Sequence, residues 1–149
     1  MNNERRRAER APGPDSFLGR GWSFPPTFAR QASTLVAVMV HGVEDIEQSL
    51  TILLGTELGE RLMRPDYGCD LRRMLFEPVD ASAQAYVKDL VRTAILYHEP
   101  RIRLEALTLT PVPEEGRIDM LLEYVVRTTN SRHNYVFPYY VREGTNLER

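Results

Sequence analysis

Apolar residues recur at intervals of three and four across residues 43–54, which is the spacing of one face of an amphipathic helix. Glu44 and Asp45 lie in the first turn of this segment, where carboxylates complement the helix dipole. Gly55 follows the last apolar position. The pattern therefore predicts a short helix that ends near Gly55.

A clearer helical pattern covers residues 80–98. Asp80 is suited to cap its start, and Pro100 prevents its continuation because proline disfavours helical geometry in the residue before it. His98 is interpreted as an end residue favoured by the helix dipole rather than as a catalyst. The apolar face comprises Ala83, Val87, Leu90, Val91, Ala94 and Ile95.

Short segments rich in β-branched residues predict strands, the first of them at residues 35–40. Three more follow the second helix, at residues 102–109, 118–129 and 135–140, separated by turns at 111–116 and 130–134. Because Pro138 has no N–H to donate, the last strand is expected at a sheet edge. The predicted fold class is α+β, with two main helices packed on one face of a small, mostly antiparallel sheet that ends in a meander.

Two N-terminal segments lack a regular pattern. Residues 1–16 are predicted to form a flexible arm that precedes a single domain at residues 17–149. The arm carries four arginines, which suggests a contact with RNA, DNA or lipid, but three acids nearly cancel them and favour a solvated tail. Residues 17–28 contain four aromatic residues among glycines and prolines. These aromatics either cover the protein's own core or bind a partner, and the sequence leaves both open.

The composition limits the classes of function. A chain of 149 residues, 42% of them hydrophobic, builds a core without disulfides or metal. Its 19 basic and 21 acidic residues give a net charge of −2, so no global charge attracts nucleic acid or an anionic membrane. Cys69 and three histidines form no metal-ligand pattern, and no cofactor is expected. No segment resembles a secretion signal or a spanning helix, so we expect a soluble protein in a reducing compartment.

Catalytic motifs are absent from the sequence, including the G-x-S-x-G elbow and the Walker loop. Acidic residues are numerous, but their spacing does not single out the pair that a glycosidase needs. Cys69 is interpreted as a partly buried thiol rather than a nucleophile. We therefore do not expect an enzyme, and a peptidoglycan hydrolase is the alternative.

Two charged turns contain more specific residues than a fold requires. The first turn lies within residues 56–69 and contains Glu60, Arg61, Arg64 and Asp66. The second is Glu99-Pro100-Arg101, in which a proline holds an acid and a base at the predicted helix–strand junction. Arginine pairs bidentately with carboxylates, so these residues either fix the turns or present charge to a partner.

With these motifs the sequence resembles the sheath-initiator and wedge subunits of contractile phage tail baseplates. Members of that family also occur in type VI secretion and extracellular injection systems, and some carry an older lysozyme-like label. The segments that carry the resemblance are 21–26 (GWSFPP), 43–46 (VEDI) with 48–50 (QSL), 53–54 (LL) followed by Thr56, 59–61 (GER) with 63–68 (MRPDYG), 76–78 (FEP) and 99–102 (EPRI). The resemblance as a whole extends from about residue 17 to residue 140.

The resemblance implies a non-enzymatic assembly protein of the baseplate. It implies that Glu99, Pro100 and Arg101 insert into the helical core of the wedge. It also implies that the edge strand with Tyr135, Phe137 and Tyr139 pairs with extended arms of the sheath protein. Further residues that bind a partner or fix a turn are Glu60, Arg61, Arg64, Tyr67, Trp22 and Phe24.

The family also implies where the protein works and with what. Its partners would be larger wedge subunits, the sheath protein and inner tube or hub proteins, with neither nucleic acid nor membrane among them. Six copies would occur in each particle. The protein would assemble in the cytoplasm and act in the baseplate of a phage tail, a tail-like particle or a cell-anchored apparatus.

Overall fold

The computed structural model of the chain describes residues 16–72 and 80–140. These residues belong to two compact units that divide after Ser49, and we describe each unit by itself. Most of the predicted arm at residues 1–16, and the motif at residues 76–78, lie outside the described residues. The single domain expected at residues 17–149 stays a prediction.

The first unit is built from short antiparallel strands. A 3-10 helix, Ser16–Leu18, precedes them. Strand β1 pairs with β4, and β2 pairs with β3, so the unit contains two separate two-stranded sheets. The strands are β1 (Arg20–Trp22), β2 (Phe28–Gln31), β3 (Thr34–Ala37) and β4 (Met39–His41).

The single strand predicted at residues 35–40 is wrong, because the chain changes pairing partner at Val38. The N–H of Val38 donates to the carbonyl of Thr27 at 2.8 Å, and its own carbonyl accepts from the N–H of Ser23 at 2.9 Å. Both groups of Val38 are thus satisfied between the two sheets. A continuous apolar run shows that the segment is extended but does not reveal this change of partner.

Helix α1, Gly42–Gly55, confirms the first predicted helix and its end. Gly42 has a φ of +64°, a conformation that favours glycine and lets the helix begin directly after β4. Glu44 and Asp45 occupy the first turn, as predicted. The buried face of the helix comprises Ile46, Leu50, Leu53 and Leu54.

The second unit contains the long helix and the meander predicted from the sequence. Asp80 caps α2, and its carboxylate accepts the N–H of Ala83 at 2.7 Å. The three strands form one antiparallel sheet in the order β5-β6-β7. The elements are α2 (Ala81–His98), β5 (Ile102–Val112), β6 (Arg117–Val126) and β7 (Ser131–Tyr140). This arrangement confirms the α+β class.

A β-bulge at Glu105 explains the irregular alternation of apolar residues in β5. Leu104 pairs with Tyr124, but Ala106 pairs with the next residue of β6, Glu123, so Glu105 is an extra residue. Leu107 therefore returns to the buried face. The buried positions have even numbers before the bulge and odd numbers after it.

The turn predicted at residues 130–134 is wrong in position. Strand β6 ends at Val126 rather than at residue 129, and the turn occupies residues 127–130. Asn130 has a φ of +52°, and its N–H donates to the carbonyl of Val126 at 2.8 Å. Residues 131–134 are polar but belong to β7, because one face of this strand is exposed and accepts polar side chains.

The meander is covered on one face by helical segments of the same unit. Helix α2 packs against β5, and the hydroxyl of Thr51 near the end of α1 lies 2.6 Å from the hydroxyl of Tyr135 on β7. The central strand β6 contributes its even-numbered residues to the core, namely Ile118, Met120, Leu122, Tyr124 and Val126. Strand β7 lies at the edge, as Pro138 predicted, and Pro111 likewise lies on an edge strand, β5.

Candidate partner-binding site

The structure brings the two charged turns together through Tyr67. The ring of Tyr67 contacts both the guanidinium of Arg61, which lies 4.2 Å from its centroid, and the imidazole of His98, at a centroid distance of 5.1 Å. Nε2 of His98 lies 3.0 Å from the carbonyl oxygen of Asp66. The last turn of α2 is thereby fixed to a loop about thirty residues earlier in the chain.

The Glu99-Pro100-Arg101 junction is held by an ion pair within the motif itself. The Arg101 fork donates from Nε and NH2 to the two carboxylate oxygens of Glu99, each at 2.6 Å. The Glu99 side chain is 2% exposed and that of Arg101 is 27% exposed. The predicted acid and base therefore bind each other, and only the arginine is partly presented outward.

Backbone bonds fix the same junction to its surroundings. The N–H of Glu99 closes the end of α2 by donating to Ile95 at 2.9 Å. The carbonyl of Arg101 accepts the N–H of Arg127 at 2.9 Å, and the Arg127 side chain donates to the carbonyl of Ile102 at 3.1 Å. The junction is thus tied to the turn between β6 and β7, which makes it rigid.

Tyr67 shows that the loop and the junction form one electrostatic cluster. Burial raises the pKa of this phenol above its ordinary value. Arg61 acts in the opposite direction, and Glu99 raises the pKa further because its negative charge opposes ionisation of the phenol. Tyr67 therefore remains neutral over the ordinary pH range beside the Glu99–Arg101 pair.

The loop after α1 is shaped by close backbone approach. Gly68 has a φ of +131°, and a Cβ at this position would lie 2.5 Å from the carbonyl oxygen of Thr56. That oxygen accepts the N–H of Cys69 at 2.8 Å. Only glycine fits here, because it combines the required φ with the absence of a side chain.

The predicted residues of this loop have different roles. Glu60 fixes the turn, because its carboxylate accepts the N–H of Glu57 at 2.9 Å. The N–H of Gly59 closes the loop by donating to the carbonyl of Pro65 at 2.9 Å. Arg64 lies 3.5 Å from Asp66, with both side chains more than half exposed. That pair contributes little to stability and leaves Arg64 accessible.

Cys69 lies in the loop as a buried thiol, as predicted. It is 3% exposed, and burial raises its pKa to about 12, with a smaller contribution from Asp70 in the same direction. A nucleophilic cysteine needs a thiolate, which this environment disfavours. No group of three metal-ligating side chains occurs within residues 16–72 and 80–140, and no helix there is long and apolar enough to span a membrane.

Sequence reasoning missed the tip of the loop. Leu62 and Met63 are 96% and 91% exposed, between the flanking arginines Arg61 and Arg64. Two consecutive exposed apolar side chains on a rigid loop are unusual where no partner binds them. The sequence does contain a signal for these exposed side chains: Leu62 and Met63 are an apolar pair inside a charged turn and do not follow the periodicity of a buried helix or strand.

The predicted sheath-pairing residues lie on β7, which pairs only with β6 among the described strands. Their side chains point to the covered face of the sheet, with Phe137 buried and Tyr135 and Tyr139 half-buried. The outward positions, all exposed, are Arg132, Asn134, Val136, Pro138 and Tyr140. An added strand would pair with the backbone of β7, so the inward tyrosines position that edge.

Trp22 and Phe24 belong to the first unit and are largely exposed, at 63% and 51%. Trp22 contacts Phe28 edge to face, with ring centroids 6.4 Å apart. The N–H of Phe24 donates to the side chain of Gln48 at 2.8 Å. These aromatic residues do not cover a core, which favours the partner-binding alternative of the two that the sequence left open.

Comparison with protein families and curated proteins identifies similar chains. The model of the family "Baseplate wedge protein gp25" matches residues 40–131, which is more than half of the chain. Baseplate protein W of Escherichia phage P2 is 35% identical over 83 residues, covering 56% of this chain and 71% of that protein. Baseplate wedge protein gp25 of Enterobacteria phage T4 is 32% identical over 85 residues. That match covers 57% of this chain and just under two thirds, 64%, of the T4 protein.

Solved structures show the same similarity. A candidate tail lysozyme of Geobacter sulfurreducens is 41% identical with a TM-score of 0.63, covering 68% of this chain and 93% of that chain. A chain of the anti-feeding prophage baseplate is 28% identical with a TM-score of 0.61, covering 88% and 92%. A chain of the postcontracted pyocin R2 baseplate is 34% identical with a TM-score of 0.54, covering 68% and 99%. The chain therefore belongs to the family of baseplate wedge protein gp25 and is a structural component of the baseplate wedge of contractile injection systems.

Proposed function

We propose that this protein is a non-enzymatic connector that joins larger wedge subunits to the first ring of the sheath and starts sheath assembly. The observation that carries the proposal is the outer edge of β7, which pairs with no other strand among residues 16–72 and 80–140. An exposed strand edge presents unpaired N–H and C=O groups to which an extended segment of another protein adds as a further strand. The rigid Glu99–Arg101 junction in the same unit supplies a second, separate surface.

Strand β7 suits this role better than the other edge, β5. Residues 131–137 form an uninterrupted run before Pro138, which exceeds the typical strand length of about five or six residues. Strand β5 instead carries the bulge at Glu105, whose carboxylate is 2.7 Å from Arg103, and a proline at position 111. Bulges, charges and prolines are the features that protect edges from pairing.

The junction of α2 and β5 is the proposed contact with the wedge core. Arg101 already pairs with both carboxylate oxygens of Glu99. A partner therefore does not have to neutralise an unpaired buried carboxylate. The partner would contact Pro100, which is exposed, and the accessible part of Arg101. In this proposal Glu99 positions Arg101 and does not itself touch the partner.

The absence of catalysis is part of the proposal, and the arrangement of carboxylates supports it. Both oxygens of Glu99 accept from Arg101, so neither is placed to protonate a leaving group. The Cys69 thiol is buried and protonated at ordinary pH. The likeness to a candidate tail lysozyme makes peptidoglycan hydrolysis the activity to test against.

The particle context is proposed from the relatives. The anti-feeding prophage baseplate has six-fold symmetry, which supports six copies of this chain in each particle. Wedge subunits, the sheath protein and inner tube or hub proteins are its proposed partners. Assembly in the cytoplasm precedes incorporation into the baseplate in this scheme.

The edge proposal is tested by placing a lysine on β7. Val136→Lys changes an outward side chain that is 52% exposed, so the fold should persist while the added charge obstructs strand addition. Leu96→Lys, at a position on α2 that is 63% exposed, is the matched control. Electron microscopy of assembled particles should show baseplates without sheath for Val136→Lys only. Normal sheath assembly with Val136→Lys would contradict the use of this edge.

A further inference from the structure

The first unit presents an apolar and cationic surface, which we call the Trp22 face and define by Trp22, Phe28, Arg30 and Leu35. Its three apolar side chains are 63%, 57% and 70% exposed in that order. The face lies outside residues 40–131, the part of the chain that matches the family model. The family model therefore does not extend over the face, although Trp22 itself belongs to the segment 21–26 that carries the resemblance to wedge subunits.

The register of the β2–β3 ribbon places these side chains together. Phe28 pairs with Ala37 and Arg30 pairs with Leu35. Paired residues of antiparallel strands point to the same side, and so do residues two apart on one strand. Phe28, Arg30 and Leu35 therefore share one side of the ribbon, and Trp22 joins them through its edge-to-face contact with Phe28.

Hydrogen bonds hold the connection between β1 and β2 rigid, so the face is formed before any partner binds. The hydroxyl of Ser23 accepts the N–H of Thr27 at 3.2 Å and donates to the carbonyl of Pro25 at 3.3 Å. The hydroxyl of Thr27 donates to the same carbonyl at 3.1 Å. A preformed surface of this kind lowers the entropy cost of association.

The ribbon itself is incomplete as a sheet. Every residue of β2 is exposed, and so are three of the four residues of β3. A two-stranded ribbon gains stability when a third strand or a covering partner is added to it. Tryptophan, phenylalanine and arginine are also the residues enriched at protein interfaces and at their energetic centres.

The charge of the face indicates the chemistry of its partner. Residues 16–41 contain two arginines and no aspartate or glutamate, in a chain whose net charge is −2. A complementary segment therefore carries acidic residues beside apolar ones. Residues 1–15 do not fit this description, because their four arginines outnumber their three acids.

We propose that the Trp22 face binds an acidic, extended segment of another baseplate protein, which adds as a third strand to the β2–β3 ribbon. Membership of a family of baseplate components favours a protein partner over a membrane. The proposal involves neither β7 nor the Glu99–Arg101 junction. It can therefore fail or succeed independently of the function proposed above.

The intact protein reports on this face directly, because Trp22 is its only tryptophan. The probes are a synthetic peptide that alternates valine with glutamate and a counterpart with lysine in place of glutamate. The glutamate peptide should shift the emission of Trp22 to shorter wavelength and protect it from iodide quenching. The lysine peptide should have no effect at the same concentration.

Substitutions on the face should change this binding in a defined direction. Arg30→Glu should lower the affinity for the glutamate peptide about tenfold, because the charge at position 30 then repels the peptide's carboxylates. The lysine peptide should become the better ligand. Leu35→Ser should lower the affinity for the glutamate peptide about tenfold, because an apolar contact is lost. Arg92→Glu, at an exposed arginine on α2, is the matched control and should leave the binding of both peptides unchanged.

Several results would overturn the proposal. They are no response to the glutamate peptide, an equal response to both peptides, or a response to phosphatidylglycerol vesicles in place of the peptide. An emission shift on simple concentration of the protein would assign the face to a second copy of this chain. A shift on removal of residues 1–15 would assign it to that segment.

Discussion

At the scale of single residues, Glu99 determines how the junction between α2 and β5 responds to substitution. It is a buried carboxylate whose two oxygens accept from one guanidinium, at the point where α2 passes into β5. A carboxylate buried in this way lowers the stability of the folded protein unless its charged partner is present. Substitutions at Glu99 or Arg101 therefore act on the fold as well as on any partner, and the two effects have to be measured separately.

Truncation of Arg101 should destabilise the protein. Arg101→Ala leaves the Glu99 carboxylate buried without its partner, and we expect a loss of about 2–4 kcal/mol in the free energy of unfolding. Urea denaturation followed by circular dichroism measures this loss. Arg103→Ala, which removes an arginine from an exposed pair with Glu105, is the control and should leave the midpoint nearly unchanged. Equal midpoints for the two variants would show that the buried pair contributes no more to stability than the exposed pair.

The Cys69 thiol should make stability fall at alkaline pH. Its folded pKa is about 12, above the ordinary value of 9.0, so the folded state holds the proton more tightly than the unfolded state. The contribution to stability is complete below the ordinary value and is lost as the pH rises toward the folded value. The maximum slope is about 1.4 kcal/mol per pH unit.

Unfolding free energies measured from pH 8 to pH 10.5 test this dependence. Cys69→Ala should show a shallower decline than the unsubstituted protein. Tyr67 and Tyr139 also have raised pKa values and contribute with the same sign in both proteins, so only the difference between the two curves reports the thiol. Parallel curves would contradict the assignment.

At the scale of elements, the bulge in β5 determines how the meander faces its core. The register before and after Glu105 differs by one residue on β5 but not on β6. This single extra residue explains why the apolar pattern of the strand is irregular while both halves of the strand remain buried on the same face. The bulge also makes the edge of β5 less suited to strand addition than the edge of β7.

Deletion of Glu105 should be tolerated. Without it, Leu104 and Leu107 keep their pairing with Tyr124 and Leu122, and the alternation becomes regular. Deletion of Thr108 should instead remove the bulge by turning residues 105–107 over, which exposes Leu107 and leaves Ala106 in its buried place, at a cost of about 2–5 kcal/mol. Thermal denaturation of the two deletion variants distinguishes these outcomes. Loss of the fold in both would mean that the bulge itself is required.

At the scale of the whole molecule, the charged and exposed features belong to a protein that works by binding. The second unit carries a rigid junction and an open strand edge, and the first unit carries the Trp22 face. The matches to baseplate proteins agree with this reading of the surfaces.

The purified protein should not degrade peptidoglycan. A turbidity assay on purified cell walls from pH 4 to pH 8 should show no clearing above buffer, with hen lysozyme as the positive control. Clearing that disappears on substitution of one carboxylate would replace the connector function with a hydrolase.

The sequence by itself determined both helices, the C-terminal meander and the edge position of β7. Helical periodicity, the Asp80 cap and the effects of proline and glycine act within a few residues, so they can be read locally. The resemblance to wedge subunits likewise followed from short motifs, because close local packing, as at Gly68, restricts which residues fit.

Only the tertiary structure decided which distant groups meet. It brought Tyr67 into contact with Arg61 and His98, buried Glu99 beside Arg101, split residues 35–40 between two sheets and left Trp22 exposed. Each of these depends on which element approaches another, and many approaches are compatible with the same local pattern. The choice among them is made by the packing of the whole chain, in which burial and pairing are satisfied together.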